Sequence, residues 1–389
     1  MMKRVLLFCG LIIVIGVTVW AWRGRGVSAE TPTSSIIASL SEPAADGFAR
    51  ATEPNNIEFP HDLGSHDDYQ TEWWYYTGNL ASDTGREFGF QFTIFRRALE
   101  PETASEADQS VWRTNQIYLV HFTVSDIENN AFYHSERYSR GGAELAGAQA
   151  NPYHVWIEDW SVEEQADGTI QLTANNAQST EGETYALNLN LTQTMSPVLH
   201  GEGGLSAKSL EQGNASYYYS LVQQRAVGTV QIGDEIVEVS GKAWKDHEYS
   251  TSVLSEGALG WDWFSLQFDD GSALMLFEIR KTGDEVEAAS SGTFVYPDGQ
   301  TVDLRLGDWE LAVDDRWQSP KTDSNYPIAW TLAIPKVDLT LEGAAKMENQ
   351  ELVLTAGAYW EGAVEFDGAR AGAAVSAEGY IEMTGYADQ

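Results

Sequence analysis

The chain has 389 residues, 43% of them hydrophobic and 12% aromatic, and its 58 Asp+Glu outnumber 23 Lys+Arg to give a formal net charge of -35. This is the composition of a folded chain long enough for two domains, not of a disordered one. So much negative charge repels phosphate and excludes nucleic acid as an expected partner. The single Cys, Cys9, removes disulfides, thiolate metal centres and cysteine nucleophiles from the body of the chain.

Lys3 and Arg4 precede an apolar run from Val5 to Trp22, and Val27-Ser28-Ala29 follows as a small-residue cleavage site. Residues 1–29 therefore read as a signal peptide or, if uncleaved, a membrane anchor. The protein is expected to be periplasmic or secreted, or to associate with the inner membrane if the run is retained. Cleavage after Ala29 would remove four basic residues and take the net charge from -35 to -39. Residues 30–56, rich in Ser, Thr, Ala and Pro, read as a linker.

From Ile57 the texture becomes that of strands. Tyr185–Leu191, Leu274–Ile279, Val302–Leu306 and Val337–Leu341 alternate apolar and polar residues, the period of a half-buried strand. Asp-Gly pairs at 167–168, 270–271, 298–299 and 367–368 suit tight hairpin turns. The reading is all-β and antiparallel, with domains at 57–250 and 251–389.

The two halves resemble each other in order. Trp74-Tyr75 with Phe88–Arg96 is echoed by Trp263-Phe264 with Leu274–Arg280. Trp160 pairs with Trp309, Tyr185–Leu191 with Ile328–Ile334, Tyr218-Tyr219 with Tyr359-Trp360, and Gly241–Trp244 with Gly379–Glu382. Two related units of seven to ten strands fit up-and-down barrels able to hold one apolar ligand; immunoglobulin-like sandwiches are the alternative.

Serine-hydrolase elbow, zincin, P-loop and dinucleotide signatures are all missing. His61 and His66 could approach a metal with Asp62, Asp67 or Asp68, but no third His lies nearby, so neither metal nor cofactor is expected. Asn190 and Asn214 lie in sequons that matter only in a eukaryotic secretory pathway.

Two aromatic clusters open the repeats, Glu72–Tyr76 and Gly260–Phe264, and make Trp73, Trp74, Trp261 and Trp263 candidates for ligand contact or for barrel core. Tyr217–Tyr219 is similar. In Gly241–Tyr249, strand alternation puts Trp244, Asp246 and Glu248 on one face and Lys245, His247 and Tyr249 on the other. Trp244 is the natural inward residue and would carry Asp246 in beside it. Such a carboxyl keeps its proton near neutral pH and can act as a general acid, or it serves only to bond loop amides. Counting from Glu382 as the counterpart of Trp244, the second copy offers Thr384 where the first has Asp246.

FPHDLGSHDDYQTEWWYYTGNL (59–80), SYYYS (216–220), GKAWKDHEYS (241–250), GWDWFSLQFDDGSALMLFEIR (260–280), YWEGAV (359–364) and GYIEMTGY (379–386) resemble the AttH-like and carotenoid 1,2-hydratase family over residues 46–389. The resemblance implies two lipocalin-like barrels with an apolar cavity in or between them. It places a proton-donating aspartate on Asp246 and its aromatic partners on Tyr217, Tyr219 and Trp244, where the hydratases carry His, Trp and Tyr. It also implies a long apolar partner, an isoprenoid, polyene or lipid, with a hydro-lyase acting on a C=C as one role. A non-catalytic carrier or a transporter-accessory protein is the other.

Overall fold

The computed structural model describes residues 46–101, 112–176, 182–251, 254–255, 257–355 and 357–387. The apolar run, the cleavage site and most of the 30–56 linker lie outside these residues. The described chain is almost wholly strand, with three single turns of 3-10 helix and no α-helix.

Every strand pairing is antiparallel, and the strands fall into two sheets. The first uses strands between Thr71 and Ser250, the second strands between Ala258 and Met383. Each half is one continuous sheet curled about its own core, a barrel or half-barrel, and this removes the sandwich alternative, which needs two sheets per half. In the first, Phe92 and Phe122 meet Trp160 from the far end of the strand order at centroid distances of 6.3 and 5.5 Å. In the second, Trp330 stacks on Phe366 and meets Phe264 edge to face through the centre.

The two sheets share a plan. In the first, Thr71–Ala81 lies between Glu87–Ala98 and the last strand, Glu235–Ser250, which pairs in turn with Ala215–Ile232. In the second, Ala258–Phe268 lies between Ala273–Lys281 and the last strand, Ala373–Met383, which pairs with Gly357–Arg370. The repeat differs from the sequence reading in more than one place. Trp74 lies in the first core but Trp263, its expected counterpart, lies with Tyr75 in the cluster between the sheets, and Phe264 takes the core place. The strand Tyr185–Gln193, which borders Ala215–Ile232, corresponds by position to Leu339–Ala345 and not to the strand containing Ile328–Ile334, one place further out.

Gly168, Gly271 and Gly299 occupy turns with φ between +82° and +84°, as Asp-Gly hairpins require. The Asp367-Gly368 pair is different: it lies within the Gly357–Arg370 strand. A Cβ at Gly368 would sit 2.0 Å from the Thr340 carbonyl, so this glycine serves a close strand approach, and the turn falls at Ala371-Gly372.

The sheets pack through a third cluster made of both: Tyr75, Val198, Tyr218, Val222 and Trp244 from the first, and Trp263, Met275, Phe277, Ile279, Ala363 and Tyr380 from the second. Polar ties run across it. Asn79 donates to the Gly379 carbonyl at 3.0 Å, Gln267 to the carbonyls of Val222 and Ala243 at 2.7 and 3.0 Å, and Ser125 to Gln350 at 2.7 Å.

Candidate active site

The strand Glu235–Ser250 separates two polar networks because successive side chains point to opposite faces. Lys245, His247 and Tyr249 face into the first barrel. Trp244, Asp246 and Glu248 face outward to the second sheet. The expected grouping of residues is therefore right, but the direction is reversed: Trp244 and Asp246 point away from the barrel interior and into the space between the sheets.

That space is a cavity of about 110 Å³. Trp73, Tyr75, Phe95, Tyr218 and Trp261 supply its aromatic wall, together with Trp263 and Phe277, while Asp246, Glu248, Glu382 and Lys208 supply its polar groups.

Asp246 is 4% exposed. The Trp244 indole donates to its Oδ1 at 2.6 Å, the Ser220 hydroxyl donates to the same oxygen, and the Tyr218 hydroxyl donates to Oδ2 at 2.7 Å. Burial pushes the carboxyl up to about 7, against the opposing pull of these three donors and with a smaller upward push from Glu248. Ser220 is itself held by His200 Nε2 at 2.6 Å, and His200 Nδ1 lies 2.9 Å from the Thr293 hydroxyl of the second sheet. Burial lowers His200 to about 3, so it is neutral. The chain is satisfied when Thr293 donates to Nδ1, Nε2–H to Ser220, and Ser220 to Asp246.

The second sheet contributes carboxyls that sequence comparison missed. Glu382, which the sequence reading set against Trp244, lines the cavity and accepts the Trp261 indole N–H at 3.1 Å. Burial pushes it up to about 7, Trp261 opposes, and Asp246 and Glu248 add to the rise. Glu361, its cross-strand neighbour, is fully buried and accepts the Tyr75 hydroxyl. Burial and then Glu382 raise Glu361 well above the carboxylate range. The sequence count set Thr384 against Asp246, but in the sheets it is Glu382 that lies opposite Trp263 as Asp246 lies opposite Tyr75, both rings belonging to the cluster between the sheets, so the second copy is not without a carboxyl.

Glu248 is paired with Lys208 at 2.6 Å and accepts the Ser216 hydroxyl. Among the described residues, the only cation lining the cavity is thus already neutralised.

Of the expected ligand contacts, Trp73, Trp261 and Trp263 line the cavity and Trp244 supports Asp246 from beside it. Tyr217, Tyr219 and Trp74 do not line it. Alternation puts Tyr218, not its neighbours, on the cavity face. Tyr217 donates to the Glu53 carbonyl and Tyr219 to the Asp62 carbonyl, while Trp74 stacks on His247 inside the first barrel. Nothing in a run of three tyrosines distinguishes the middle one until the face of the strand is known.

The opposite face carries the second network. Glu72, fully buried, accepts from Arg96 at 2.8 Å and lies 2.7 Å from His66 Nδ1 and 2.8 Å from His247 Nε2. Burial opposes ionisation of Glu72, but Arg96 and His66 hold it well below its ordinary value. Burial would lower His66, yet Glu72 and Asp62 raise it to about 9; burial holds His247 at about 4. Ligand atoms of His66, Glu72 and His247, and of His61, Asp62 and His66, are each close enough together for a metal ion. In the first group Arg96 already supplies the positive charge a cation would bring.

The fold and site define a class: tandem lipocalin-like β-barrels with an aromatic, carboxyl-bearing cavity at their interface. Within that class the chain belongs to the AttH-like family, whose model matches residues 50–386. An AttH-type protein from Nitrosomonas europaea is 32% identical, with a TM-score of 0.73 over 88% of this chain and 99% of that one. Kievitone hydratase from Nectria haematococca shares the fold at 12% identity, with a TM-score of 0.64 over 90% of this chain and all of that one. Dehydratase asqC from Emericella nidulans is 24% identical over 207 residues, 49% of this chain and 55% of its own, so the chain spans about half the length of this curated relative.

Proposed function

We propose that the interface cavity takes the alkene segment of a long apolar molecule and that Asp246 exchanges a proton with it, making the protein a hydro-lyase that adds water to, or removes it from, a C=C bond. The observation that carries this reading is a buried carboxyl poised near neutrality in an aromatic cavity. It can give a proton at pH 7 and take one back. The name of one relative is that of a hydratase and the name of another that of a dehydratase, and these are the two directions of one reaction.

Protonation of an alkene carbon leaves a cation on its neighbour. Faces of Trp73, Trp261 and Trp263 would stabilise it by about 0.5–2 kcal/mol per well-placed ring. The acid itself contributes about 10²–10⁴-fold, so positioning and exclusion of bulk water must supply the remainder. An apolar cavity of about 150 Å³ holds a benzene. The space here, of about 110 Å³, therefore suits a prenyl branch or a single ring, with the rest of the ligand outside.

The basic and apolar N-terminus supports an exported location, with the cleaved or retained segment decided by the intact mass of the native protein. Solvent extraction of that protein followed by mass spectrometry identifies the ligand class. Wild type and Asp246→Asn are then offered farnesol, squalene and oleic acid, and water addition is followed by mass. Binding kept with addition lost in Asp246→Asn supports the acid; unchanged addition overturns it. A carrier without chemistry would bind these probes and return them unaltered.

A further inference from the structure

We propose that Glu382 is the base that pairs with this acid: it takes the proton of the water that adds to the substrate, so that each barrel supplies one of the two catalytic carboxyls. This rests on the reading of Asp246 as the proton donor.

The argument is one of placement. Asp246 lies on the last strand of the first sheet and Glu382 on the last strand of the second, and both line the same cavity. Trp261 fixes Glu382 through Oε2, and among the described residues no salt bridge claims it, which leaves Oε1 for a water molecule. Asp246, by contrast, has both oxygens held by donors from its own sheet. The two carboxyls are joined by a row of neighbours. Tyr75 is the cross-strand partner of Asp246, its hydroxyl bonds Glu361, and Glu361 is the cross-strand partner of Glu382. Glu361 Oε2 is buried without a partner. That suits a carboxyl that stays neutral, so Glu361 positions Tyr75 and leaves the proton traffic to the other two. Asp246 opposes the ionisation of Glu382, so the first proton lost from these two leaves one acid and one base.

The step balances. The Asp246 O–H bond breaks as a C–H bond forms from the alkene π pair, and a water oxygen then forms the C–O bond at the cationic carbon. Glu382 accepts one proton of that water. The product is the alcohol, with Asp246 ionised and Glu382 protonated; exchange with cavity water resets both. In the reverse direction Glu382 protonates the departing hydroxyl and Asp246 takes the proton from carbon.

The test uses the full protein with farnesol in deuterated, oxygen-18-labelled water. Wild type should place deuterium on carbon and labelled oxygen in the product. Asp246→Asn should lose both. Glu382→Gln should keep deuterium exchange at the alkene carbon, because Asp246 can return a proton to solvent, but lose about 10²-fold or more of the oxygen incorporation. Oxygen incorporation at the wild-type rate in Glu382→Gln overturns the base while leaving the acid standing.

If wild type incorporates neither label, the hydro-lyase reading fails, and an infrared titration of the unliganded protein still decides the pairing. The charged or titratable groups facing Glu382 are Asp246 and Glu248 from one strand, Glu361, Tyr75 and Tyr359, with Lys208 held by Glu248. Because the coupling is reciprocal, removing either charge should let the other carboxyl ionise at lower pH: Glu382 in Asp246→Asn, Asp246 in Glu382→Gln. If neither titration moves, the pairing is overturned.

Discussion

Trp263 of the second sheet donates its indole N–H to the Tyr218 hydroxyl of the first at 3.0 Å, and Tyr218 passes its own proton toward Asp246 Oδ2 at 2.7 Å. The acid of one barrel is therefore held in place through a residue of the other. Tyr218→Phe removes a donor that stabilises the ionised form, so Asp246 should titrate above its wild-type value and the alkaline limb of activity should move to higher pH. A pH–rate profile of wild type against Tyr218→Phe checks this; an unmoved limb means the hydrogen bond has no bearing on the acid.

Asp246→Asn and Asp246→Ala should differ in stability as well as activity. Asn keeps an acceptor for the Trp244 and Ser220 donors and turns an amide N–H toward the Tyr218 hydroxyl oxygen. Ala strands them, at a cost of about 1–3 kcal/mol for each buried group left unsatisfied. Urea unfolding should rank wild type and Asn close together and Ala well below; equal midpoints for Asn and Ala would contradict the three-donor description.

Stability should carry the signature of the raised carboxyls. Asp246 and Glu382, both near 7 in the fold, hold protons that the unfolded chain releases near 4. Their contribution is full below the unfolded value and is lost as pH rises through about 7. His121 and His200, lowered to about 3, and His247, lowered to about 4, act in the opposite sense, losing stability as pH falls below the unfolded histidine value of 6.5. The informative quantity is thus a difference. Relative to wild type, the Asp246→Asn, Glu382→Gln double variant should gain stability as pH rises from about 4 to about 7. A difference that stays flat across that window would show that neither carboxyl is raised.

Arg96 is fully buried and donates to Glu72, Gln116 and the carbonyls of His66 and Tyr69. Removing one partner of such a pair costs about 3–5 kcal/mol. Arg96→Ala should lose about that much, and Arg96→Lys should recover little, since one ammonium cannot reach four acceptors spread around a planar fork. Denaturant titration of both variants provides the check, and full rescue by Lys would show that charge alone matters.

The packing of the barrels is tested at Gly89, where an added Cβ would lie 2.7 Å from the Tyr380 hydroxyl and 2.9 Å from Ala363 Cβ, both in the second sheet. Gly89→Ala should cost about 1–3 kcal/mol through overpacking. Unfolding at the wild-type midpoint would mean that the interface yields more readily than this contact allows.

The sequence alone determined what depends on local chemistry. Period-two alternation marks the strands, Asp-Gly marks three of the hairpins, and alternation from Gly241 to Tyr249 divides Asp246 from His247 because a strand leaves no other choice. The order of motifs was enough to indicate the family. Which face of each strand meets the cavity was decided only by the tertiary structure. The outer surfaces of the two barrels cover one another, so Thr71–Ala81 is buried on both sides, and a strand buried on both sides no longer reads as having an inner and an outer face. For that reason Trp244 looked inward, Tyr218 was indistinguishable from Tyr217 and Tyr219, and Glu382, far along the chain from Asp246, gave no local sign of sharing its cavity. The site belongs to the contact between two sheets, and a one-dimensional pattern records each sheet's own alternation but not which sheet packs against it.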